Sequence, residues 1–181
     1  LENPVDSPQG LNTLLISEYQ QGNQRQYEYS YVEGDNSWSL TSGNGLRHET
    51  RKEYTNDDGD RVERTTISGS DGIPVSITEE IYRTFAWGEE RIAEISDPDG
   101  ERLTTAISYI EAHGPGYAKI RSRVEANGSW VRYEYDGSGR RIKSISSYLD
   151  APLDSPETKA HVFLYDFMPL PGDSKEERYR N

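Results

Sequence analysis

Apolar and polar positions alternate with period two along most of the chain. Tyr27, Tyr29 and Tyr31 fall on one side of an extended segment, as do Ile73, Val75 and Ile77, and then Leu103, Thr105, Ile107 and Tyr109. Ala118, Ile120, Ser122, Val124 and Ala126 make a further row, followed by Val131, Tyr133 and Tyr135. The positions between them carry Ser, Thr, Glu and Arg, so each segment reads as a strand with one wetter face. Glycines recur every 11 to 16 residues, from Gly34 and Gly45 through Gly59, Gly72, Gly88, Gly100, Gly116 and Gly128 to Gly139. Short strands punctuated at that interval predict an all-β antiparallel meander of about eight to ten strands, curved by the ordinary twist of sheets. One segment fits two periods: Ile77, Ile81 and Phe85 are spaced by four, whereas Ile81, Arg83, Phe85 and Trp87 alternate. Tyr82, Thr84 and Phe85 favour extended backbone, and strand is the expectation there.

The ends read differently from the middle. Residues 1–22, interrupted by Pro4, Pro8 and Gly10, are expected to be an N-terminal connector or edge segment. Residues 23–150 form the expected sheet. Residues 151–181, with Pro152, Pro156 and Pro169-Leu170-Pro171-Gly172, are expected to be a connector and the start of a further degenerate repeat.

Composition sharpens this picture. Leu, Ile, Val and Phe make up about 18% of the chain, under the roughly 20% level that accompanies disorder when net charge is high. The net charge is −12, yet 13 Tyr and 3 Trp oppose that reading. A sheet held by aromatic and β-branched pairs satisfies both counts. Residues 1–90 carry 7 basic and 17 acidic groups, and no basic patch follows them. Nucleic acid and anionic membranes are therefore not expected partners. The absence of cysteine excludes disulfides, thiol nucleophiles and thiolate metal sites. No apolar run is long enough to predict a membrane span. The chain starts at Leu1 with no signal-peptide pattern, and is expected to be a segment of a longer protein.

One pattern recurs: Asn56-Asp57-Asp58-Gly59-Asp60-Arg61-Val62, Asp97-Pro98-Asp99-Gly100-Glu101-Arg102-Leu103, and Asp136-Gly137-Ser138-Gly139-Arg140-Arg141-Ile142. It reads Asx, two residues, Gly, any residue, Arg, aliphatic, and returns after 41 and then 39 residues. The Asx side chain can accept a hydrogen bond from the backbone two residues on, and Gly supplies the left-handed conformation that turns the chain back. Arg and the aliphatic residue then open the returning strand on opposite faces. Asn44-Gly45 and Asn127-Gly128 read as two-residue hairpin turns. Asp35-Asn36-Ser37-Trp38 and Asn127-Gly128-Ser129-Trp130 echo each other as turn, Ser-Trp and strand.

Tyr133-Glu134-Tyr135-Asp136-Gly137-Ser138-Gly139-Arg140 resembles the tyrosine–aspartate (YD) repeat of bacterial Rhs proteins and of their animal relatives, the teneurins. The other two copies carry Thr55 and Ser96 where the Tyr stands, and Phe163-Leu164-Tyr165-Asp166 resembles the start of one more. The resemblance implies a repeat-built antiparallel sheet that is part of a larger shell or of a secreted or cell-surface protein, whose main partner is the rest of that protein. It implies a structural, non-catalytic role, with Asn56, Gly59, Arg61, Asp97, Gly100, Arg102, Tyr133, Tyr135, Asp136, Gly139 and Arg141 as repeat residues. The Asp-Pro-x-Gly-Leu self-cleavage core of toxin-bearing members has no counterpart, since Asp97-Pro98 runs into Asp99-Gly100-Glu101.

Candidate chemistry is sparse. The acidic turns lack the spaced ligand series of a calcium loop and are expected to be structural. His48, His113 and His161 stand apart without metal spacing, so neither metal nor cofactor is expected. Glu79-Glu80 and Glu89-Glu90 point to opposite faces of a strand, which disfavours a two-carboxylate hydrolase. The alternative to a scaffold is a glycan- or protein-binding module that uses Trp38, Trp87 and Trp130, with tyrosines, as a stacking surface. Most tyrosines are expected to serve packing.

Overall fold

The computed structural model describes residues 13–20, 23–32, 37–42 and 47–165. Gly34, Gly45, the Asp35-Asn36 and Asn44-Gly45 turns, the N-terminal prolines and the Pro169–Gly172 segment lie outside them. The described residues are all-β apart from one short 3-10 turn at Glu157–Lys159. The strands are β1 (Thr13–Gln20), β2 (Asn23–Val32), β3 (Ser37–Ser42), β4 (Arg47–Thr55), β5 (Arg61–Gly69) and β6 (Pro74–Phe85). They continue as β7 (Gly88–Ser96), β8 (Leu103–Tyr109), β9 (Ile120–Val124), β10 (Trp130–Tyr135), β11 (Arg141–Ser147) and β12 (Ala160–Leu164). Each strand neighbours the next in the chain, an antiparallel meander of twelve strands that does not close. The count exceeds eight to ten because the terminal segments each contribute a strand, β1 and β12. The ambiguous segment around Ile81 is strand β6. Its Tyr82 and Thr84 fit a pleated surface, and β5 and β7 flank it on both sides.

The chain divides into two compact units, one up to Thr104 and one from Thr105 onward. Aliphatic burial is thin in both. Val62 and Ile95 are 2% exposed in the first unit, and Ile145 (1%) and Trp130 (4%) centre the second. Each contributes about 1.5–3 kcal/mol. Directly opposed side chains supply the rest, at about 0.2–1 kcal/mol per pair. Two such pairs are hydroxyls: Ser30 and Ser39, and Ser108 and Ser122, face each other in register with Oγ atoms 2.7 Å apart. Other expected rows end early. Ile73, just before β6, and Val75, near its start, are 62% and 72% exposed, and Ala118 lies in a loop at φ 63° rather than on β9.

Candidate functional site

The repeated turns are built alike at two of the three copies. In residues 56–60 the Asn56 N–H donates to the Asp60 carbonyl and the Gly59 N–H to the Asn56 carbonyl. Residues 136–140 repeat this, with Asp136 bonded to Arg140 and Gly139 to Asp136. Gly59 and Gly139 stand at φ 82° and 77°. This is a type I turn closed by a left-handed bulge residue, a three-residue hairpin loop. The Asx side chain locks it: Asn56 Oδ1 accepts the N–H groups of Asp58 (3.0 Å) and Asp60 (2.9 Å), and Asp136 Oδ1 those of Ser138 (2.9 Å) and Arg140 (3.0 Å). The Ser138 hydroxyl, the Arg140 guanidinium and these N–H groups hold the Asp136 carboxyl well below the usual carboxylate range.

The same loop closes residues 69–73 and 125–129, with Gly72 at φ 77° and Gly128 at φ 83°. Asn127-Gly128 is therefore not a two-residue turn. Gly128 is the bulge residue of a longer loop, and Asn127 Oδ1 accepts from the Ser129 N–H and hydroxyl.

The middle copy departs from the expected geometry. Asp97 and Arg102 take the left-handed conformation, at φ 52° and 50°, and Gly100 does not. The cause is strand parity. The Asp97 N–H faces β6 and donates to the Ile77 carbonyl (3.0 Å), so it cannot close a loop toward β8. The chain makes a wider turn instead, in which the Asp97 carbonyl accepts from Gly100 and Arg102. Gly100 serves by its small size: a Cβ there would stand 2.8 Å from Asp97 Cγ. Arg102 ends the turn rather than opening the strand.

The repeat arginines of the regular copies lie over tyrosines. The Arg61 guanidinium carbon is 4.3 Å from the Tyr82 ring centre and that of Arg141 is 3.9 Å from Tyr133. Arg102 instead donates to the Pro98 carbonyl, at 3.5 Å. Around Arg61 the register creates a charge lattice. Glu53, Glu63, Glu80 and Glu94 stand directly opposite one another across β4, β5, β6 and β7. Arg61 donates to Glu89 (Nη2, 2.6 Å), Glu53 (3.2 Å) and Glu63, while Arg91 pairs with Glu80 and with Glu94 (3.2 Å) and Arg51 with Glu63 (3.4 Å). The hydrogen bonds that Arg61 donates to Glu89 and Glu63 push its pKa up, and Arg61 in turn holds the Glu89 carboxyl below its usual range.

Two acidic groups, Asp60 of the first repeat turn and Glu79 of the Glu79-Glu80 pair, are buried. Asp60 is 5% exposed and accepts both Nε and Nη2 of Arg83. Glu79 is 6% exposed and accepts the Tyr54 hydroxyl and Arg64 Nη1, both at 3.0 Å. Arg64 also bonds Asp99, whose carboxyl it lowers. Their sequence signal was weak, because these pairings depend on register.

The tryptophans have partners of their own. Trp38 lies under the Arg51 guanidinium (4.9 Å) and tilts against Tyr29. Trp87, at the β6–β7 tip, stacks on Phe85 at 4.6 Å and 6°. Trp130 is buried, with Nε1 donating to the Ala151 carbonyl at 2.6 Å, so it presents no open ring face for a ligand. Beside it, Arg132 donates to the carbonyls of Leu153 (2.7 Å) and Ser155 (2.9 Å). Trp130 and Arg132 thus tie residues 151–155 as a strap over β8, β9 and β10. An open cleft of about 900 Å³ lies beneath it, lined by Ala106, Ser108, Ser122, Val124, Arg132 and Leu153 among others. Small side chains on the strands leave this space. Of the repeat tyrosines, Tyr135 donates its hydroxyl to the Ile120 carbonyl (2.8 Å) and packs on Gly116, where a Cβ would meet the ring at 2.7 Å.

His113 stacks on Tyr117 and His161 packs edge-on to Tyr148. Among the described residues no three His, Asp or Glu side chains are grouped to hold a metal. Among the described residues, Asp60, Glu89, Asp99 and Asp136 are the carboxylates with displaced ionisation, all downward, which makes them ion-pair acceptors rather than proton donors at neutral pH. No helix among the described residues is long and apolar enough to cross a membrane. No protein-family model and no curated protein sequence matches the chain.

Proposed function

We propose that the chain is a non-catalytic scaffold segment, a length of sheet wall in a larger secreted or cell-surface protein of the YD-repeat type. The observation that carries this reading is the recurrence of one loop. Asx and Gly at fixed spacing rebuild the same hydrogen bonds at 56–60 and at 136–140, and the Arg that follows lies over a tyrosine of an adjacent strand in each, Tyr82 of the next strand for Arg61 and Tyr133 of the preceding one for Arg141. Residues spent on such a module stiffen a sheet and set its register. The displaced carboxylates support the same reading, since their negative charges are committed to structural ion pairs. The test is the open reading frame on either side of the chain. Further Asx-x-x-Gly-x-Arg-aliphatic copies at roughly 40-residue spacing are expected; flanks without them overturn the proposal.

A second reading, a binding module, is favoured by the cleft under the 151–155 strap. Its ligand would meet serine hydroxyls and short aliphatic groups rather than a tryptophan platform. Titration with a panel of polysaccharides, followed by tryptophan fluorescence, tests it. A saturable change that Trp130→Phe alters supports the module, and silence across the panel removes it.

A further inference from the structure

We propose that Asn127 is an acceptor for an N-linked glycan. The proposal deepens the secreted or cell-surface reading above and rests on it, since sugars join asparagine amides on the surface loops of exported chains. Asn127-Gly128-Ser129 is the only Asn-x-Ser or Asn-x-Thr triplet in the 181 residues, and Gly rather than Pro stands in its middle. A triplet so short carries weight only through its surroundings.

Those surroundings suit an acceptor. The triplet lies in the loop of residues 125–129 that joins β9 to β10, and Asn127 and Gly128 are exposed. A Cβ built on Gly128 would meet nothing within 4 Å, so the approach to the loop is open. Oδ1 of Asn127 accepts the Ser129 N–H at 3.0 Å and the Ser129 hydroxyl at 2.7 Å, which leaves Nδ2 as the outward end of the amide. Both bonds join near neighbours in sequence, so the loop can present the amide before the rest of the sheet forms. The related turns lack one half of this pairing. Asn56 has an amide but Asp58 in place of the hydroxyl, and Asp136 has the Ser138 hydroxyl but no amide.

In the transfer, Nδ2 attacks the anomeric carbon of a sugar activated as a diphosphate ester. The C–O bond to the diphosphate breaks with its electron pair, an N-glycosidic bond forms, and the Nδ2 proton passes to a base of the transferase. The two donors on Oδ1 stabilise the negative charge that the amide gains as that proton leaves. The loop also has a place for the sugar. A hollow of about 340 Å³ is lined by Asn127, Gly128 and Ser129 and by Leu149, Ala151 and Pro152. Leu149 is 80% exposed and stands at φ 52°, a conformation that strains a Leu. A first sugar ring on Nδ2 is placed to enter the hollow and cover that side chain.

Intact mass of the chain, exported behind a secretion leader from a cell that carries out N-glycosylation, tests this. One glycan is expected, removable by peptide N-glycosidase. Asn127→Gln and Ser129→Ala should each abolish it, while Ser129→Thr should keep it. An exported product without a glycan, or a glycan that survives Asn127→Gln, would overturn the proposal. Because the leader supplies export, either result bears on Asn127 and leaves the scaffold reading to its own test. Flanks without repeats would overturn the scaffold and leave an observed glycan standing.

Discussion

Arg83 grips Asp60 with a fork, Nε at 2.9 Å and Nη2 at 2.7 Å from the two oxygens of a carboxylate that is 5% exposed. Asp60 is the last residue of the first repeat turn and Arg83 belongs to β6, so the pair fastens a loop to the strand beyond its own hairpin. Asp60→Asn retains shape but loses the charge-assisted bonds, and should cost about 2 kcal/mol. Urea unfolding of the two proteins measures it.

The pH dependence of stability follows from the same group. Hydrogen bonding from Arg83 lowers the Asp60 pKa in the folded chain. A depressed carboxylate stabilises the fold fully above its unfolded pKa of about 4, and the benefit is lost as pH falls through the folded value. Stability should be level from neutral pH to about pH 5 and decline below about pH 4. Asp60→Asn should flatten part of that decline; an unchanged slope would show that Asp60 does not drive it.

The glycines of the repeat separate by mechanism. Gly59→Ala should cost about 1 kcal/mol through its left-handed backbone, and Gly59→Asn less, since Asn tolerates that conformation. At Gly100 the obstacle is contact with Asp97, so Asn should be at least as damaging as Ala. Thermal denaturation of the four variants resolves the pattern.

Arginine positions divide in the same way. Lys cannot reproduce a planar group over a ring, so Arg61→Lys and Arg141→Lys should each lose about 0.5–1 kcal/mol. Arg102→Lys, with no ring beneath it, should be close to neutral. Equal losses at all three would contradict the assigned contacts.

Arg132→Gln should release the strap. Amide hydrogen exchange at residues 151–155 is expected to quicken while β9 and β10 keep their protection, because the side chain donates its hydrogen bonds to two strap carbonyls. Exchange that rises equally in the strands would mean that Arg132 supports the sheet instead.

Much of this was legible in the residues. Period-two rows and glycine spacing announced the meander, and Asn56-x-x-Gly59 and Asp136-x-x-Gly139 announced their loops, because the signals for both are local. The middle copy failed for a reason that a motif does not encode: whether the Asp97 N–H faces β6 or β8 depends on strand parity. The alternative of Trp130 as a stacking ring was open in the sequence because nothing in Ser-Trp-Val predicts a strap arriving twenty residues later. The lattice of Glu53, Glu63, Glu80 and Glu94 is likewise a product of register, which several loop lengths set jointly.

The neighbour-by-neighbour strand order bears on how the chain acquires its fold. Every pairing joins strands that are consecutive in sequence, so each ring of contacts closes over a short stretch of chain. Loop-closure cost stays low throughout, unlike in sandwiches, where distant strands must meet before anything is gained. A sheet of this kind assembles as a zipper, hairpin upon hairpin. Its stability is then close to a sum of nearest-neighbour terms. Deleting one terminal hairpin would shorten such a molecule without unmaking it.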